Sequence, residues 1–519
     1  MELNWDRKSV CRRSLAFIVL VSVATLLLKH PTVAQEGAQQ VLRGQAEAPV
    51  TDADVPSSIL PSNDIFTGDL DGIRERTRIR ILVPFSKTFY FIDRGGAQAG
   101  ATYEMGKEFG AWLKKQEKAK GRGISVVFVP TRRDELFSGL VEGRGDIAAG
   151  NLTITDKRSE IVDFAHPLAT GAREILVTAP NAPAISSLDD LVGQEIFARP
   201  SSSYYEHLKA MNVQRAAAGK PEFTLTAIDE DLEDEDILEM VNADLLPWGV
   251  VDEHKAKIWA HAFDKIKLRP DIVIHEGGEI AWAIRKNSPQ LKSVVDKFAD
   301  THKFGTTFGN ILKNKYAKGL APVKAATSKE ERKKFEQLLG IFRGYGHEYK
   351  FDALMIAAQG YQESKLNQNA RSHRGAVGIM QLLPSTAADP AINIKGIDKD
   401  AAKNIQAGVK YLRLLTEKYL NDPALDDKNR TLMAFAAYNA GPGNLRKFRK
   451  LAERSGLDPN LWFGNVEHAA AKIVGRETVD YVAHIYVYYV AYRLATERLQ
   501  EQNLAKENLK APAPPSTWP

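Results

Sequence analysis

Ala357-Ala-Gln-Gly-Tyr-Gln-Glu363-Ser364 continues an apolar helical pattern that starts at Leu354 and Ile356 and closes on an acid. Around it the texture is helical throughout. From about residue 325 to Arg498 the chain shows long helical patterns broken by Gly and Pro, with almost no β-branched runs, so this half reads as all-α. Lys329 to Lys334 gives that half a charged helical start.

Upstream the texture changes. Arg78-Ile-Arg-Ile-Leu-Val-Pro84 alternates and then turns apolar, as a strand entering a buried sheet does. Met105, Phe109, Trp112 and Leu113 place a helix over Tyr103 to Lys115, and Ile124 to Val129 is a second strand. Arg133 to Glu142 reads as a short helix and Asp146 to Ala149 as a third strand. Strand and helix alternate to about residue 318, which argues an α/β sheet. A chain of 519 residues exceeds one ordinary core, so several domains are expected.

The N-terminus carries a basic stretch (Arg7, Lys8, Arg12, Arg13), an uncharged apolar run of 15 residues from Ser14 to Leu28, and small residues in Thr32-Val33-Ala34. This is the pattern of a secretory signal, and the run falls short of the about 20 residues that span a bilayer comfortably. Removing residues 1–34 takes away five basic and two acidic residues, leaving 65 against 63, a net of +2 in place of +5. No strong nucleic-acid field is expected from that balance. Cys11, the only cysteine, would leave with the signal, and with it disulfides, thiol catalysis and cysteine-ligated metals. The eleven histidines show no ligand spacing such as HExxH, so neither metal nor cofactor is expected.

Three segments of the first half resemble the family-3 periplasmic solute-binding proteins. They are Arg80-Ile-Leu-Val-Pro with Tyr90 and Gly100; Leu140 to Arg158 followed by Val162-Asp-Phe-Ala-His-Pro167; and Gly193-Gln-Glu-Ile-Phe-Ala-Arg-Pro-Ser-Ser-Ser203. The resemblance implies a two-lobed α/β domain over 72–318 that holds a polar amino acid or another carboxylate-bearing ligand. It gives the carboxylate to Arg158 of the Thr-x-x-Arg element, with Asn151 and Thr153 as hydrogen-bonding neighbours. A guanidinium suits that task because parallel N–H bonds fix the carboxylate plane. The competing reading makes Arg158 a fold residue that caps a helix or pairs with Asp163. Ser202 or Ser203 stands at an expected helix N-terminus in the second lobe. Asp252 sits where the family places an acid for the ligand's ammonium, although Pro247 and Trp248 depart from the family pattern there. Asp146 is expected to be a turn residue.

Four blocks of the second half resemble the lysozyme-like domain of soluble-type lytic transglycosylases. They are Ala357 to Ser364, Gly375-Ala-Val-Gly378-Ile-Met-Gln381, Ala436-Ala-Tyr-Asn439-Ala-Gly-Pro-Gly443, and Glu477-Thr-Val-Asp-Tyr481-Val. The fusion of the two modules resembles one subfamily in particular, the membrane-bound lytic murein transglycosylase F type. The resemblance implies a periplasmic enzyme, attached peripherally to the outer membrane. Its partner would be peptidoglycan glycan strands, cut at the MurNAc–GlcNAc β-1,4 bond, with a small carboxylate or muropeptide in the first module.

The residues support a chemistry of their own. A carboxyl at the lip of an apolar helix is desolvated, which raises its pKa and lets Glu363 donate a proton near neutrality. Ser364 is placed to bond substrate or loop. Gly378 permits close approach of a sugar, and Met380 and Gln381 of the same turn are expected among the substrate-binding residues. Gln381 and Asn439 offer amides to acetamido and hydroxyl groups, Tyr438 packs beside the sugar, and Tyr481 tunes Glu363. Two-carboxyl glycosidases keep their acids about 5 Å or 6.5–9.5 Å apart. Here the motif holds one acid, and Asp352 and Glu348 read as solvated. One acid suffices if no external water attacks, and the resemblance implies that the C6 hydroxyl of the muramic sugar is the nucleophile, giving a 1,6-anhydro product. The rivals are a goose-type hydrolytic lysozyme and a solute receptor with an inactive wall-binding domain. The organisation expected is signal peptide 1–34, flexible leader 35–71, solute-binding domain 72–318, helical linker 319–340, transglycosylase domain 341–498 and disordered tail 499–519. Tyr486, Tyr488, Tyr489 and Tyr492 are expected in core and groove wall.

Overall fold

The computed structural model describes residues 65–93, 97–117, 124–318 and 329–510. The expected signal peptide, most of the leader, linker residues 319–328 and tail residues 511–519 lie outside the described residues.

The first half begins with α1 (Leu70–Arg76), β1 (Arg78–Val83), β2 (Phe91–Ile92), β3 (Gln98–Ala99), α2 (Ala101–Glu117), β4 (Ser125–Pro130) and α3 (Leu136–Val141). It continues with β5 (Ile147–Thr153), α4 (Asp156–Ile161), β6 (Val162–Phe164) and β7 (Ala169–Thr178). Then follow β8 (Glu195–Ala198), α5 (Ser203–Ala217), β9 (Thr224–Ala227), α6 (Asp234–Asn242), β10 (Trp248–Asp252) and α7 (Glu253–Trp259). β11 (Lys267–Arg285), α8 (Pro289–His302) and α9 (Thr307–Lys318) complete it. The main sheet runs β10-β7-β11-β5-β1-β4, with β6 also on β11. β1 lies parallel to β4 and β5, whereas β11 is antiparallel to β5, β6 and β7.

Two lobes follow from one long strand. β11 has 19 residues. Its Lys267–His275 end pairs with Glu174–Thr178 of β7, and its Ile280–Arg285 end pairs with β5 and β6. The first lobe closes over Ile79, Ile81, Phe109, Leu113, Ile147 and Phe298. The second buries Ile175, Phe197, Leu208, Ile237 and Trp248. Burial on both faces explains why β1 turns wholly apolar from Ile81 to Val83. Arg80, just before that stretch, is buried against Asp146, which also holds Arg76. Asp146 is therefore a fully buried countercharge, and the expected turn role gives way to that.

The leader ends earlier than residue 71. Phe66 N donates to Gly143 O, and Asp69 caps α1 through Leu70 N.

The second half is helical: α10 (Lys329–Tyr349), α11 (Ala353–Ser364), α12 (Pro384–Ala388), α13 (Ala401–Tyr419), α14 (Asp427–Ala440), α15 (Pro442–Arg454), α16 (Glu467–Val474) and α17 (Arg476–Lys510). α10 runs unbroken through the domain boundary expected at 340, and α17 continues to Lys510, so residues 499–510 are helical and not a disordered tail. Asp352 starts α11 by accepting from Leu354 N, and the left-handed Lys365 stops it. The core of the second lobe and the helical core form one continuous apolar cluster. Polar contacts cross the same seam. Tyr486 donates to Asp229 at 2.7 Å, Lys428 pairs with Asp231 at 2.6 Å, and Arg476 stacks over Phe91.

Candidate active site and ligand cleft

Glu363 ends α11 half-buried. Tyr481, from α17, donates to its Oε1 at 2.6 Å. Burial pushes the carboxyl up to about 7, and the tyrosine bond offsets only part of that rise. Burial also raises the phenols of Tyr481 and Tyr438 well above their ordinary range, so both stay neutral donors. Asp352 and Glu348 are exposed, and Asp352 is engaged in capping α11.

The turn facing Glu363 is held from beneath by Asn404 of α13. This fully buried amide accepts from Met380 N at 2.8 Å and donates to Val377 O and Ile397 O. Asn404 explains Gly378. The glycine has φ +77°, and a Cβ there would lie 2.2 Å from Asn404 Nδ2. Ser364 Oγ donates to Ile379 O at 2.9 Å and accepts from Asn367 N, so of its two expected roles it performs the loop one. Met380 is fully buried, with Tyr438 donating to its carbonyl at 2.8 Å. Its expected contact with sugar is corrected accordingly, because both backbone groups and the side chain are spent on support. Gln381 adopts φ +45° and donates back to Gly378 O. Lys365 and Leu366 are also left-handed, so three strained non-glycine residues surround this acid. Asn439 is half-buried and accepts at Oδ1 from Thr478. Tyr486, Tyr488 and Tyr492 are core residues, and Tyr489 is partly buried against them.

The second polar centre lies between the lobes. β5 and α4 supply Asn151, Thr153 and Arg158. The β8–α5 junction supplies Arg199, Ser202 and Ser203, and Asp234, Asp252 and Lys255 complete the lining. These residues leave a cavity of only about 20 Å³. Arg158 donates from Nε to Glu206 at 2.9 Å, from Nη1 to Thr153 O and from Nη2 to Ser201 O. Thr155 donates to the other Glu206 oxygen at 2.8 Å. A carboxylate of the chain itself therefore sits on the guanidinium, and Asp163 faces Lys286 instead. Ser202 caps α5 by accepting from Tyr205 N, and Ser203 donates to Glu174 at 2.6 Å. Asn151, left-handed at φ +58°, donates to Asp252 Oδ2. Asp252 also pairs with Lys255, yet its buried Oδ1 makes no hydrogen bond. Burial works to raise Asp234, but Lys255 and Arg199 hold it well below the usual carboxylate range.

Gln359 and Thr478 lie inside the quoted blocks but carried no role, and Asn404 lies outside them, because nothing local marks a residue that acts through a backbone carbonyl or another side chain. Glu206 was legible only as a residue one turn into α5, and Arg199 lay inside a recognised segment without a role.

Two family models match the chain in tandem. Bacterial extracellular solute-binding proteins, family 3, covers 81–318, and the transglycosylase SLT domain covers 340–459. Among curated proteins, membrane-bound lytic murein transglycosylase F of Desulfosudis oleivorans is 28% identical over 80% of this chain and 90% of its own length. That of Stutzerimonas stutzeri is 28% identical over 86% and 92%. The chain is thus similar, over most of its length and in the same fused two-domain order, to proteins named membrane-bound lytic murein transglycosylase F. Among solved structures, an ancestral arginine-binding protein bound to arginine is 20% identical, with a TM-score of 0.38 over 46% of this chain and 98% of its own. In transglycosylase F terms, the half with Arg158 is the solute-binding domain and the half with Glu363 the SLT domain. Among the described residues no helix is long and apolar enough to cross a membrane.

Proposed function

We propose that this lytic transglycosylase cuts the MurNAc–GlcNAc β-1,4 bond of peptidoglycan and leaves a 1,6-anhydro muramic end. The observation that carries this reading is the isolation of Glu363. What acts on its carboxyl is burial and one tyrosine hydroxyl. With its pKa raised to about 7, the acid is half protonated at neutrality and donates to the glycosidic oxygen. The resulting carboxylate then takes the proton from the C6 hydroxyl as that oxygen closes onto C1. Glu363 returns to its starting form, and no water enters the balance. Gln381 and Asn439 are read as the amide partners for acetamido and hydroxyl groups of the substrate. Tyr438 and Ser364 keep the turn in place.

The first domain is read as a sensor for a small carboxylate-bearing ligand, such as an amino acid or wall peptide, with Asn151, Thr153, Arg158, Ser202, Ser203 and Asp252 at its cleft. The route from cleft to groove that supports this is α6. Its first residue, Asp234, holds Arg199 and Lys255, while Glu239 near its end faces His484 of α17 at 3.8 Å. His484 lies one turn from Tyr481. Coupling requires that the ligand prefer one of two arrangements of this seam. The setting we assign is the periplasm, with peripheral attachment to the outer membrane.

The test is lysis of purified murein sacculi by the wild type and by Glu363→Gln. The reading predicts lysis by the first only, with sacculus binding kept by both. A wild type that binds sacculi and never lyses them would be a receptor with an inactive wall-binding domain.

A further inference from the structure

Behind the Tyr481–Glu363 bond lies a third polar group. Gln359, one turn before Glu363 on α11, is completely buried. Its Nε2 donates to the Tyr481 hydroxyl at 3.2 Å, and its Oε1 has no hydrogen-bond partner. That is a costly residue for the centre of a helix packed on three sides. A buried acceptor without a donor loses its hydration and gains nothing, and an apolar side chain of the same length would fit at lower cost. A purely structural demand therefore favours Leu or Met at this position. What Gln359 offers and they lack is the one N–H aimed at the phenol.

We propose that Gln359 is a positioning residue for the proton transfer, acting on Glu363 through Tyr481; this rests on Glu363 being the acid. The amide fixes the phenol oxygen as an acceptor, so its single proton points at Glu363 Oε1. Accepting a bond also polarises the phenol and makes its O–H a stronger donor, as in any chain of hydrogen bonds. The relay is neutral along its length. Among the described residues, the titratable groups that interact with Glu363 are Tyr481 of α17 and Tyr438 of α14. Against α11, at Gly360, α10 presents Phe342 and the 378–381 turn presents Ile379 and Met380, none of them charged. Lys365, beyond the helix end, lies over the rings of Tyr361 and Tyr488, and His484 is turned to Glu239.

The test compares Gln359→Leu and Gln359→Met in the full chain, with Tyr481→Phe alone and combined, and Glu363→Gln as control. Both Gln359 variants should melt no lower than wild type. Their turnover on sacculi should fall roughly tenfold, the order expected for one hydrogen bond, with little change in KM. The alkaline limb of their pH–rate profile should move to higher pH, because the carboxylate loses part of its support. In the Tyr481→Phe background the same substitutions should cost nothing further. Unchanged turnover, a loss with an unmoved alkaline limb, or loss of the fold in both variants would each overturn the proposal. If Glu363→Gln lysed sacculi as the wild type does, the assignment of the acid itself would fall, and this inference with it.

Discussion

The proposed ligand cleft and the proposed catalytic groove solve the problem of buried polarity in opposite ways. In the cleft each charge has a countercharge: Arg133 on Glu233, Arg158 on Glu206, Arg199 on Asp234, and Lys255 shared by Asp234 and Asp252. In the groove one carboxyl accepts from a neutral phenol, itself steadied by a neutral amide. Paired charges stay ionised, and they hold the lobes together at the cost of desolvation. An isolated carboxyl instead rises toward neutrality, where it can both give and take a proton. The same burial thus yields a lock in one place and an acid–base group in the other.

That contrast can be broken most sharply at Glu363. Replacing it with Gln should lower the lytic rate by about 10²–10⁴, the usual worth of a general acid. The same change should stabilise the fold at alkaline pH. A folded pKa of about 7, above the ordinary 4.5, means that wild-type stability is full below the unfolded pKa and is lost as pH rises through 7. The gain above pH 7 should be on the order of 3 kcal/mol at most, readable as an upward shift in Tm relative to wild type. Next in size is Gly378→Ala. It forces a Cβ against Asn404 at a left-handed backbone and should cost about 2–3 kcal/mol in chemical denaturation.

Glu206→Gln sharpens the comparison from the cleft side. It removes the chain's own carboxylate from Arg158. Amino acids titrated calorimetrically should then bind roughly tenfold tighter if ligand and Glu206 compete for that guanidinium. Weaker or unchanged binding would make the pair a clasp alone. The smallest effect is the pH response of the wild type: its lytic rate should fall as pH rises through about 7, as the proton-donating form of Glu363 disappears.

Much of this was legible in the chain. Arg78 to Pro84, Asp146 to Ala149 and the apolar residues before Glu363 carry periods that follow directly from what they bury, although β5 runs on to Thr153. The catalytic turn was legible through Gly378, whose reason, the Asn404 side chain beneath it, was not. Asn404 is 23 residues from Gln381, with no pattern between them that marks a shared site. The occupied state of Arg158 was equally hidden. The motif specifies where a guanidinium stands, and only packing of α5 against α4 decides that Glu206 reaches it. Helix ends were the least visible: α17 continues to Lys510 where composition suggested a frayed tail.

The most direct test of the whole account is the mass of the muropeptides that the wild type releases from intact sacculi. If Glu363 works alone and the muramic C6 hydroxyl attacks, the muramic ends will be one water lighter than hydrolytic ends and will resist borohydride reduction. Reducing, fully hydrated muramic ends from the same digest would contradict it.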